Sequence, residues 1–153
     1  MTTAPPEALF YHLERQPLDS VLPGLVERTV ERGWRAVIQS ASAERVQVLD
    51  GLLWTYREDG FLPHGTAADG AADRQPVFLT AGDENPNQAV VRFLVDGAVA
   101  ADFKSYQRLV FLFDGRDAAA LAGARLQWKA AKAAGCTATY WQQSAEGRWE
   151  KKA

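Results

Sequence analysis

Arg125, Trp128, Lys129 and Lys132 recur at i, i+3, i+4 and i+7, a spacing that lines side chains along one stripe of a helix. Three cations can take carboxylates, and an indole among them can wall an apolar pocket. The chemistry this suits is capture of an anionic peptide with an apolar or aromatic end. Single-stranded nucleic acid is a competing ligand, because basic and aromatic groups also serve phosphates and stacked bases. The chain carries 17 Lys and Arg against 19 Asp and Glu, a net charge of −2, so it lacks a protein-wide field for nucleic acid. Three cations make a thin phosphate track. The plain alternative is a solvated helix face with Trp128 tucked under a neighbouring loop.

A second stretch, 52–64, gathers Trp54, Tyr56 and Phe61 around an Asp59-Gly60 turn signal and ends in Leu62-Pro63-His64. Pro63 fixes its own φ and biases Leu62 away from the helical region, so the end is a stiff strap. Rings on such a strap cap a core or form a docking patch.

Other chemistries find little support. His12 and His64 are the two histidines and Cys136 the one cysteine, and none stands at metal-ligand spacing. His12 reads as a satisfied or half-exposed strand residue. Cys136 follows a helix C-terminus, where the dipole disfavours a thiolate, so an inert thiol is expected. The acid pairs Glu58-Asp59 and Asp83-Glu84 read as solvated turns. No Gly-x-Gly-x-x-Gly and no phosphate-loop lysine motif is present. No catalytic group, metal site or cofactor is expected.

The elements that must position these residues alternate. Leu9–Leu13, Arg35–Ser40, Pro76–Thr80, Ala89–Val95, Arg108–Phe113 and Cys136–Trp141 read as strands, with Ala89–Val95 central. Ser20–Arg32 has helical apolar spacing and stops at Gly33, and Ser42 N-caps a helix bearing Val46, Leu49, Leu52 and Leu53. Asp117 caps a long alanine-rich helix to Ala134, ended by Gly135. Its small residues, Ala119, Ala122, Gly123, Leu126, Ala130 and Ala133, are expected to lie on the sheet. Residues 1–8 read as a frayed lead-in, 65–75 as a mobile surface loop, 99–106 as a short helix or connector, and 142–152 as a hairpin return carrying Trp149. The pattern implies an α/β fold: a single domain over 1–153, with a mainly parallel open sheet and helices on both faces. The topology is Rossmann-like but lacks a nucleotide-binding loop. With one cysteine, no membrane-length apolar run and no basic-apolar leader, a cytoplasmic chain, monomeric apart from its partners, is expected.

Three segments resemble the chi subunit of bacterial DNA polymerase III holoenzyme. They are Phe10-Tyr11-His12-Leu13, then Leu53-Trp54 through Phe61-Leu62-Pro63-His64, and the run from Arg125 through Trp128, Lys129 and Lys132 to Gly135. The resemblance spans roughly Leu9 to Tyr140. It implies a non-catalytic replisome component that binds the acidic, phenylalanine-ended C-terminal tail of single-stranded DNA-binding protein and touches DNA only indirectly. Arg125, Trp128, Lys129 and Lys132 match the family's tail-binding positions. Trp128 stands where a tyrosine is familiar, and Leu121 where the best-known members carry a further lysine. Trp54 and Phe61, shaped by Pro63 and His64, match the surface for the psi subunit or a DNA helicase. The rival class is a small-ligand protein or enzyme on the same scaffold, which would need an acid, base or phosphate cradle at the strand ends.

Overall fold

Runs of β-branched and aromatic residues with little polar alternation form the strands, because a parallel sheet is covered on both faces. The computed structural model describes residues 5–55 and 63–153. Its elements in order are β1 (Glu7–Leu13), α1 (Leu18–Glu31), β2 (Ala36–Gln39), α2 (Ala43–Thr55) and β3 (Gly65–Thr66), followed by β4 (Val77–Thr80) and β5 (Val91–Leu94). Then come β6 (Arg108–Asp114), α3 (Ala118–Ala133), β7 (Thr137–Gln143) and β8 (Trp149–Lys151). The described strands form one sheet in the order β3-β4-β2-β5-β6-β1-β7-β8. All pairs are parallel except β7 with β8. β5 is central, as its composition implies.

Two apolar layers sandwich the sheet. On one face Leu22, Val26, Leu49 and Leu53 of α1 and α2 pack on Ile38, Leu79 and Phe93. On the other, α3 covers Phe10, Leu109 and Phe111. The helix starts follow local chemistry: Ser42 Oγ accepts from Arg45 N–H (3.2 Å), leaving α2 to begin at Ala43.

Two expectations are corrected. Glu7 and Ala8 belong to β1, paired with Arg108 and Leu109, so the lead-in is shorter than 1–8. Within 65–75 stand β3 and two single-turn 3₁₀ helices, the first closed by a Thr66–Asp69 capping box. Ala72 from the second covers Val37 and Phe78 where no α-helix reaches. Of the short helix or connector expected over 99–106, the structure shows the connector.

Arg92 is an unforeseen feature of the β5 run. It is buried, and its guanidinium makes four bonds: Nε to Gln39 Oε1 (2.9 Å), Nη1 to the Glu84 carbonyl (2.9 Å) and the Tyr106 hydroxyl (3.0 Å), and Nη2 to the Gly82 carbonyl (2.8 Å). One cation thereby pins the loops on either side of β5 to the sheet. Removing it leaves buried acceptors without donors, so Arg92→Ala should cost about 3 kcal/mol. Urea unfolding reads this directly, and an unshifted midpoint would show that these bonds do not hold the loops.

Candidate functional site: the α3 face and its aromatic floor

α3 is a strong helix by composition, and both its ends are closed. The Asp117 carboxylate accepts from the N–H groups of Ala119 (2.9 Å) and Ala120 (3.4 Å). At the other end Gly135 adopts φ +87°, with its N–H donating to the Lys132 carbonyl (3.1 Å) while the Cys136 N–H donates to that of Ala131 (3.0 Å). This is a Schellman stop, sealed by the buried contact of Ala131 with Cys136.

The helix is turned differently from the sequence expectation. Ala120, Leu121, Ala124, Trp128, Ala131 and Ala134 face the sheet. Ala119, Ala122, Gly123 and Ala133 are exposed, Ala130 is half-buried, and Leu126 is 66% exposed. The physical reason is bulk. An indole and Leu121 remove far more apolar area from water than alanines do, so they decide which side is buried. Leu121 is therefore a packing residue of the inward face.

Trp128 is half-buried rather than solvated. Its ring meets Phe10 edge-on at 5.3 Å and Tyr140 at 6.1 Å, while Phe10 stacks on Phe111 at 4.4 Å. Such pairs are worth about 0.5–1.5 kcal/mol each beyond burial. Lys132 Nζ lies 5.1 Å from the Trp128 centroid, a cation–π contact. Arg125, Lys129 and Lys132 are exposed, and among the described residues none of them has a carboxylate within 4.0 Å. The structure thus brings the indole and its cations together, with Trp128 and Lys132 in direct contact and Arg125 and Lys129 beside them on the outer surface.

Two further residues belong to this site and were not read from the sequence. Burial pushes the Tyr140 phenol up, and the charge of the Arg125 guanidinium pulls it partly back. The phenol lies 2.5 Å from His12 Nδ1, and His12 Nε2 lies 3.0 Å from Glu14 Oε1. A carboxylate only accepts, so Nε2–H donates to Glu14 and Nδ1 accepts from the phenol. The His12 bond, then that from Gln142, holds the Glu14 carboxyl below its usual range. His12 is 8% exposed, so it is the satisfied strand residue of the two readings. It serves to orient Tyr140. The signal was the parallel register of β1 with β7, which sets Phe10 opposite Tyr140.

At the second stretch, α2 ends at Thr55, and Phe61 lies outside the described residues. Trp54 is 53% exposed and its ring sits 4.8 Å from that of His64. The His64 side chain is fully buried, with Nε2 3.2 Å from both the Asp50 carbonyl oxygen and Asp50 Oδ1. Pro63 is half-buried beside it. Cys136 is buried, and desolvation raises its thiol, the direction expected of an inert cysteine. Among the described residues no three His, Cys, Asp or Glu side chains gather as a metal site, and no helix is long and apolar enough to cross a membrane.

The family model described as "DNA polymerase III chi subunit, HolC" matches residues 6–139. The chain belongs to the DNA polymerase III chi subunit family. The match runs from the start of β1 into β7, so it takes in the α3 row and the Trp54 surface and excludes β8. A probable DNA polymerase III subunit chi of Rickettsia prowazekii (strain Madrid E) is 25% identical over 111 residues, covering 68% of this chain and 67% of that protein. Chi membership makes the protein an accessory component of DNA replication.

The aromatic floor depends on one glycine. A Cβ on Gly115 would fall within the His12 ring, and that ring is fixed by two hydrogen bonds. Gly115→Ala should displace His12, loosen Tyr140 and cost about 1–3 kcal/mol. Thermal unfolding and the near-ultraviolet circular dichroism of the ring cluster report on it, and a variant with both unchanged would show that His12 can give way freely.

Proposed function

We infer that this chi-family protein is a non-catalytic adaptor. Its α3 row captures the acidic C-terminal tail of single-stranded DNA-binding protein. The surface of Trp54 and Phe61, shaped and braced by Pro63 and His64, joins it to the clamp-loader assembly through a psi subunit, or to a DNA helicase. The single observation that carries the reading is the pairing of three cations without carboxylate partners among the described residues with an indole fixed from below by Phe10 and Tyr140.

The chemistry follows from that pairing. Arg125 and Lys129 are placed to meet carboxylates, and Arg can do so with two parallel hydrogen bonds. Trp128 supplies a rigid apolar wall for the tail's final ring, with Lys132 over its face. No bond is made or broken. The consequence is tethering: DNA is approached indirectly, and several tails on one coated strand raise the local concentration of polymerase assembly near template.

Calorimetry with an acidic peptide ending in phenylalanine, beside a version lacking that residue, tests the reading. Arg125→Ala should weaken binding by about 2 kcal/mol, roughly thirtyfold, and Lys129→Glu by more, because it adds repulsion. Affinity should fall as salt rises. Unchanged affinity in both variants would remove the row from the site, and indifference to the last phenylalanine would remove the apolar wall.

A further inference from the structure

The carboxyl ends of β1, β5 and β6 open on a groove of about 740 Å³. Connectivity creates it. β1 and β6 are neighbours, yet β1 leads to α1 on one face and β6 to α3 on the other. The two connections diverge and leave a crevice above the strand ends, the usual ligand position in open α/β sheets. From there the groove runs down α3 from Asp117 to Gln127, roughly 15 Å at ~1.5 Å per residue, with the stretch 96–99 as its other wall.

Two properties of this groove select its occupant. Its lining is largely apolar, with Leu94, Phe111 and Phe113 at the floor and Ala120 and Ala124 on the helix side. On the helix side it reaches the outward stripe of α3 at Ala119 and Gly123, with Leu126 about one turn further along and outside its lining. Leu126 is 66% exposed and Val99, on the opposite wall, 60%. Side chains this small let a second helix approach closely, and the two exposed aliphatics would bracket its ridge.

The upper end, in contrast, is acidic. Asp19, Asp96, Asp114 and Asp117 line it against Arg116 alone. Arg45 answers Asp96 at 3.0 Å and lies 3.9 Å from Asp19, and Arg116 stands 3.7 Å from Asp114. Even with Arg45 counted, four acids face two bases. A phosphate ligand is disfavoured, because these carboxylates repel it and Asp117 already occupies the first amides of α3.

We propose that this groove docks a helix of a partner protein, apolar along one stripe and carrying Lys or Arg at the end that reaches Asp19, Asp114 and Asp117. The two sides of α3 then carry opposite fields. The acidic groove rejects an acidic tail and the cationic row rejects a basic helix, so two ligands sort without competing.

The test uses the full chain and a labelled helical peptide of roughly 15–18 residues, with a Leu/Ala stripe and a Lys-Lys-Arg end, beside a twin ending in Glu-Glu-Glu. Fluorescence anisotropy should give the basic peptide at least ~10-fold tighter binding than its twin. At Gly123 an added Cβ meets nothing within 4 Å. Gly123→Phe should therefore fill the groove without straining the fold, lowering basic-peptide affinity ~10-fold or more while the thermal midpoint stays unchanged. Asp19→Asn with Asp114→Asn should bring the twins together. Equal binding of the twins, binding of neither, or indifference to Gly123→Phe would overturn the proposal. So would a concentration-dependent dimer dissolved by Gly123→Phe, which would make a second copy of this chain the occupant.

Discussion

The contact between Trp128 and the rings of Phe10 and Tyr140 sets the rotation of α3 about its own axis, and with it every surface that the helix presents. A helix of alanines has no strong preference for which side it buries. One indole wedged between helix and sheet removes the ambiguity. Once Trp128 points inward, Arg125 and Lys129 must flank it on the outside, Lys132 falls over its face, and Ala119, Gly123 and Leu126 turn to solvent. The polar chain of Glu14, His12 and Tyr140 stiffens the same contact from beneath. Gly115 leaves the imidazole its space.

The molecule therefore separates rigidity from recognition. Its rigid parts are the buried ring stack on β1 and β6, the Schellman stop at Gly135 and the buried Arg92 hub. Long flexible cations, by contrast, stand on the outside of a helix that cannot roll. Such an arrangement orders little backbone when a ligand arrives, which limits the entropy lost on binding.

Most of the architecture was legible before any coordinates, because continuous β-branched runs and capped amphipathic segments name their own periods. Ser42 and Asp117 act at the helix starts where their side-chain oxygens put them, and Gly135 at the stop where the lack of a Cβ permits a positive φ. The inward side of α3 was misread because alanine suits either environment, so the count of small residues carried less information than the size of Trp128 and Leu121. The 65–75 stretch looked like a loop because Gly and Asp are poor strand formers. Its structure comes from a local capping box and from Ala72 packing against Phe78 and against Val37 of β2, a partner far away in sequence. Arg92 was hidden in the most β-prone run, since its acceptors lie in three separate segments that only the fold assembles. Tyr140 and His12 escaped for a related reason: their meeting depends on β1 lying next to β7, a pairing across |i−j| = 128.

The strands at the two margins of the described sheet are β3, of two residues, and β8, of three. Neither exposes enough free amides and carbonyls for a visiting chain to zip on as an extra strand, and β8 ends among Glu150, Lys151 and Lys152, charges that discourage it further. For the extended peptide proposed as the ligand, strand addition at β3 or β8 would then contribute little, and its selectivity would rest on charge and ring shape rather than on backbone complementarity.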